Sequence, residues 1–215
     1  MCMNNHPEMK YYIYVSKSKI DILYPQIPKN FFKVVDKKVE INLNVLKVSF
    51  GEKSIDETMY SRLTAVIEYL DSMGKIGTIA EPKEYFYGKI HLQWTEIYPN
   101  VVFYGGILND IALGLGGSMR HVLGYESIGV EPGISHTPWL VELLSHEIEN
   151  ITAPQIRKLS MKETERRILS STNSWAHDLS KRAFERFEFV AKTLKTGTYS
   201  NQKILIGSPV FVASV

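Results

Sequence analysis

Hydrophobic residues recur along the chain with two periods, and the switches between them outline the elements. Lys10-Tyr-Tyr-Ile-Tyr-Val-Ser16 is β-branched and aromatic on both parities, which predicts a strand buried on both faces. Pro25 and Pro28 then break any regular element, because each removes a backbone donor and biases its predecessor toward extended conformations. Val39, Ile41, Leu43 and Val45 alternate as a second strand. The parity then slips to Leu46, Val48 and Phe50, as a bulge near Val45 would produce.

Ser54-Ile-Asp-Glu57 has the spacing of a capping box and predicts a helix start. Met59, Leu63, Val66, Ile67, Leu70 and Met73 then share one 3.6-period face, and Gly74 supplies the stop. Ile90, Leu92 and Trp94 alternate with Lys89, His91, Gln93 and Thr95, a strand with one wet face. Val101–Gly106 and Ile111–Leu115 read as a hairpin turning at Asn109-Asp110. A loop over Glu131–Pro138 ends in a helix start at Thr137-Pro138, carried on by Leu140, Leu143, Leu144 and Ile148.

A second capping box, Ser160-Met-Lys-Glu163, opens a long periodic stretch. It runs through Ile168, Thr172, Trp175, Leu179, Ala183, Phe187, Val190 and Leu194 and stops at Gly197, with a kink or break expected at Ser170–Ser174. Lys203–Ala213 is a last strand, in which Pro209 marks an edge or a bulge. There is no internal repeat, linker or low-complexity tract. The expected fold is α+β in a single domain over residues 1–215: a mostly antiparallel sheet of about five to six strands with three or so helices packed against it.

Composition narrows the class. The 215 residues are 44% hydrophobic and 22% charged, which excludes a disordered or fibrous chain. The single Cys2 excludes a disulfide framework and a cysteine-based zinc site and suits a reducing compartment. No apolar run approaches the length of a membrane span, and the first 15 residues lack the apolar core of a signal peptide, so a soluble cytoplasmic protein is expected. The net charge of +2 hides an asymmetry. Residues 56–150 carry 5 Lys/Arg against 13 Asp/Glu, and residues 151–215 carry 11 against 5. The basic residues are dispersed, with few aromatics between them, which argues against duplex nucleic acid as a partner.

Six of the 14 glycines lie between Gly105 and Gly124. Glycine in a strand packs nothing and weakens pairing, so this density requires another reason. With period 2, Gly114, Gly116, Ser118 and Arg120 share one face, and Leu113, Leu115 and Gly117 the other. One use of a glycine face is close packing, of a helix or within a strongly coiled hairpin, with Arg120 paired to an acidic neighbour. The other is a groove for a small anionic ligand, held by backbone donors, Ser118 and Arg120. Neither nucleotide fingerprint is complete, since Met119 stands where Gly-x-Gly-x-x-Gly needs its third glycine and no Gly-Lys-Ser/Thr follows.

His121 is the histidine best placed for acid–base work, following Ser118 and Arg120. His91 falls on a wet strand face and His136 in a loop. His146-Glu147 lacks the second zinc histidine, because that position is Asn150, and His177-Asp178 lacks the downstream aspartate of metal phosphohydrolases. Ser208 lies in no nucleophile elbow. No metal site and no cofactor are expected. Tyr11, Tyr12, Tyr14 and Tyr24 with Lys17 and Lys19 offer a stacking and phosphate-binding wall, and the two lysines follow the first strand, where α/β clefts commonly open.

Tyr11–Pro28, Gly114–Gly124 and Ile204–Ala213 together resemble an uncharacterised bacterial family, largely of actinomycetes, over nearly the whole chain. The resemblance implies one bacterial domain with the glycine hairpin as a defining feature, and it brings no activity. The functional expectation is a sensor module for an anionic, nucleotide-like ligand, bound by Gly114, Gly116, Gly117, Ser118, Arg120 and His121 with Lys17 and Lys19 as further contacts. Two alternatives stand beside it. One is a metal-independent, phosphodiesterase-like hydrolase using His121. The other is an interaction subunit that meets a protein partner, or a second copy of itself, through a basic helix over 160–196.

Overall fold

The computed structural model describes residues 10–31, 58–98, 100–125 and 161–215. The strand expected over Val39–Phe50, the capping box Ser54–Glu57 and the loop and helix expected over 131–148 lie outside them. The described residues form two compact units, one containing residues up to Ser16 and from Ile76 onward, the other lying within Lys17–Lys75.

The larger unit carries seven strands: β1 (Tyr11–Val15), β2 (Ile76–Thr78), β3 (Tyr85–Tyr98), β4 (Val101–Leu108), β5 (Ile111–Ser118), β6 (Glu185–Tyr199) and β7 (Gln202–Ser214). The sheet is mixed with antiparallel pairs in the majority, as expected, but it is not open. β3, β4, β5, β7 and β6 each pair with the next, and β6 returns to β3, which closes a five-stranded barrel. Closure leaves those five strands without free edges.

β7 makes the closure because it is long enough for three partners. β6 follows it from Gln202 to Ser214 along one edge. On the other edge β5 pairs parallel with Lys203–Gly207, and β1 then takes over antiparallel with Phe211–Ser214. The handover falls around Pro209: Ser16 N–H donates to Val210 O at 2.8 Å, and the register against β6 shifts between Val190 and Ala191. The bulge expected from Pro209 is therefore present. It sits where the strand changes partner, so the missing donor leaves no ladder bond broken.

Alternate residues point inward and fill the barrel. Phe86, Leu92, Tyr104, Leu113, Leu115, Phe187 and Phe189 are all fully buried there, as a barrel of this size requires. The opposite parity builds a second core outside. Val101, Phe103, Ala112, Ile204 and Ile206 pack against Ile168, Leu169, Ala176 and Leu179 of the helix α3 (Met161–Ser180).

The long helix expected over 160–196 ends at Ser180. Ala183 follows the helix, and Phe187, Val190 and Leu194 belong to strand β6. The polar stretch Ser170–Ser174 does not divide α3, since Thr172 satisfies its hydroxyl on Ile168 O at 2.8 Å and stays fully buried. Nor is α3 basic. Its three cations are balanced by Glu163, Glu165 and Asp178, with ion pairs from Arg167 to Glu163 and from Lys195 to Glu165.

The second unit holds α1 (Lys17–Leu23) and α2 (Met59–Ser72). Thr58 caps α2 by accepting from Ser61 N–H at 3.2 Å, so the helix starts after the residues from which a start was expected. Leu63, Val66 and Leu70 form its buried stripe, and Gly74 ends it at φ +64° as expected. Arg62 ties the unit together, bonding Asp21 at 2.6 Å and lying 5.0 Å from the Tyr24 ring centroid.

Candidate functional site

The hairpin forms where the glycine-rich sequence places it, with Asn109 at φ 53° in the turn and Gly105 directly opposite Gly114. That glycine pair is a seat for α3. A Cβ at Gly105 would stand 2.9 Å from Leu179 Cδ1 and 3.2 Å from the Ala176 backbone, and one at Gly114 would stand 2.6 Å from Phe103 Cζ and 2.8 Å from Thr172 Cγ2. Gly116, opposite Phe103 on the same face, is buried as well. The face expected to admit a ligand thus lies against a helix at Gly105 and Gly114. Thr172 and Ala176, the small residues of the α3 stripe, meet it there.

Gly117 points the other way, and its missing Cβ makes room for the Tyr14 hydroxyl end. β5 stops at Ser118, and Met119–His121 form a short 3₁₀ turn. The strand parity expected to continue to Arg120 therefore ends two residues early. Ser118 caps the turn, its Oγ accepting from Arg120 N–H at 3.4 Å, and Met119 N–H donates to Asn100 O at 2.9 Å. After the turn Val122 bridges to Tyr14, and Leu123 N–H donates to Ile13 O at 2.7 Å. The turn is thus tied to β1 on its far side and to the β3–β4 connection on its near side.

This end of the barrel carries a chain of aromatic rings. His121 meets the Tyr14 ring edge-on at 5.7 Å, Tyr14 meets Tyr104 at 6.2 Å, and Trp94, the cross-strand partner of Tyr104, lies 6.4 Å from it. The Tyr14 hydroxyl is hydrogen-bonded to the Ser16 side chain and the Ser118 backbone. Burial pushes both phenols well above their ordinary value, so both stay neutral. The Tyr104 hydroxyl, fully buried, has no hydrogen-bond partner among the described residues, and neither have Arg120 Nε and Nη2.

Of the residues singled out from sequence, the structure brings Ser118, Arg120 and His121 onto one turn beside Tyr14. Lys17, exposed, and Lys19 stand in the second unit on α1, a helix to which the sequence had assigned no element. Tyr104 and Trp94 carried no site signal of their own, although Val102 and Tyr104 share the inward parity of the hairpin. Among the described residues no group of three His, Cys, Asp or Glu side chains could hold a metal ion, and no helix is long and apolar enough to cross a membrane.

The chain belongs to a family described as a family of unknown function (DUF7019), whose model matches residues 10–215. No curated protein and no solved structure matches the chain.

Proposed function

We propose that the protein is a cytoplasmic binding module for a small anionic, nucleotide-like ligand, held at the turn that ends the glycine hairpin. One observation carries the reading: Arg120 presents two buried guanidinium nitrogens with no acceptor among the described residues. A buried donor left without an acceptor costs about 1–3 kcal/mol, and an anion that accepts from both nitrogens recovers part of that. His121, with its ring on Tyr14, is the neighbouring flat surface on which a base or other planar group would stack. Catalysis is supported less well. The Ser118 oxygen makes a structural contact, as the cap of the turn.

The test is thermal unfolding with nucleoside monophosphates, phosphosugars and small carboxylates. A ligand at a hundred times its Kd stabilises by about 2.7 kcal/mol. For a chain of this length that is a rise of roughly 5–11 °C. Arg120→Ala should remove the rise. A panel that leaves the wild-type Tm unmoved defeats the proposal.

A further inference from the structure

The two unpartnered nitrogens of Arg120 are not an arbitrary pair. Nη2 is the terminal nitrogen on the same side as the Nε hydrogen, so Nε–H and one Nη2–H point in parallel from one edge of the guanidinium plane. That edge is the fork that takes two oxygens of one oxyanion at once. At Arg62 the corresponding edge is engaged by a single acceptor, with Nη2 on Asp21 at 2.6 Å and only Nε left over. At Arg120 both donors of the edge are open together, and both are closed to water.

We infer that the Arg120 edge is a bidentate seat for an oxyanion with two coplanar oxygens on one centre, a carboxylate or a terminal phosphate. This rests on the anion-binding reading above and sharpens it, because a fork discriminates by shape where a point charge does not. A spherical anion engages such an edge with one contact. Lysine at the same place keeps the charge and loses the paired geometry. The main chain is already fixed for the task. The Arg120 N–H is held by Ser118, and the turn is tied to Asn100 before Arg120 and to β1 after it.

The experiment titrates the full chain with inorganic phosphate, with acetate and with chloride at matched ionic strength. Binding is read by calorimetry and by the Nε–H resonance of Arg120 in ¹⁵N-correlated spectra, assigned by its disappearance in Arg120→Lys. Each point is brought to equilibrium, since both donors are buried and an anion must displace the side chains that cover them. Phosphate or acetate should shift the Nε–H resonance downfield and chloride should not; whichever shifts it identifies the oxyanion. Arg120→Lys, at wild-type stability, should weaken binding at least tenfold. Binding with an unmoved Nε–H resonance, equal binding of chloride, or full affinity in Arg120→Lys would each overturn the fork while leaving an anion site standing. No binding by any probe to the wild type would remove the site itself.

Discussion

A methyl group added at Gly114 would fall 2.6 Å from Phe103 Cζ and 2.8 Å from Thr172 Cγ2, closer than side-chain carbons approach one another. Neither neighbour is the loose end of a flexible chain. Phe103 and Thr172 are both fully buried, the first under α3 and the second held by its bond to Ile168 O. Overpacking of this kind costs about 1–3 kcal/mol. Alanine returns about 0.5–1 kcal/mol of the entropy that glycine loses in a strand. Gly114→Ala should therefore destabilise by about 1–2 kcal/mol net. In a chain of this length that lowers Tm by roughly 2–8 °C, measurable by calorimetry or urea unfolding. Thr172→Ser, which deletes the offending carbon and keeps the hydroxyl bond, should restore part of the loss, with a coupling above about 0.5 kcal/mol in the double-variant cycle. Anion binding at Arg120 should be unaffected. A Gly114→Ala protein of wild-type stability that had lost ligand binding would refute the helix seat and return the strip to the ligand.

Other substitutions separate the polar groups at the barrel end. Arg120→Met keeps much of the volume and deletes two buried donors without acceptors, so the ligand-free protein should gain about 1–3 kcal/mol in denaturant unfolding; a loss of that size would show that the guanidinium is a structural tie. Tyr14→Phe breaks the hydroxyl's bonds to Ser16 and Ser118 and should cost about 1 kcal/mol, whereas Tyr104→Phe removes an unpartnered hydroxyl and should be neutral or stabilising; the reverse order would contradict both assignments. Alkaline unfolding follows from the same phenols. Their folded values lie above the ordinary 10.0, so both states hold the protons below that pH. Above it the unfolded chain releases them and the folded chain does not, and stability should fall by up to about 1.4 kcal/mol per pH unit for each group. The Tyr14→Phe/Tyr104→Phe double variant should flatten that slope between pH 10 and 11.5, and an unchanged slope would assign it elsewhere.

Elements were legible in the sequence where one local signal fixed them. The hairpin followed from alternation around Asn109-Asp110, and the α2 stripe from Leu63, Val66 and Leu70 ahead of Gly74. The boundary after α3 was not, because Ala183, Phe187, Val190 and Leu194 continue the helical period while Phe187, Phe189 and Ala191 also alternate. Both periods fit the same residues, and pairing with β3 and β7 decides for the strand. Ser200 and Asn201, at φ 47° and 63°, make the two-residue turn that joins β6 to β7, a signal overshadowed by Gly197 as an apparent helix stop. Closure was beyond local reading altogether. It depends on β7 holding β6 on one edge and both β5 and β1 on the other, contacts that no short window contains.

Closure also determines where chemistry has room in the larger unit. An open sheet with a glycine strip would offer its face to a ligand, one of the two readings that the hairpin allowed as a sequence. In the barrel the inner face is filled by Phe86, Phe187 and Phe189, and around Gly105 and Gly114 the outer face is taken by α3. The ends remain, where strands stop and turns expose or bury polar groups according to what holds them. At the end formed by β5, β1 and the start of β4, the chain leaves the sheet through Ser118, turns once, and returns as Val122 against Tyr14. The glycine-rich sequence serves that turn at one remove. Gly105 and Gly114 let α3 clamp the hairpin, Gly117 lets Tyr14 lock its last residues, and Arg120 is carried on the result. Substitutions at the glycines should therefore register first in stability, and substitutions in the turn first in binding.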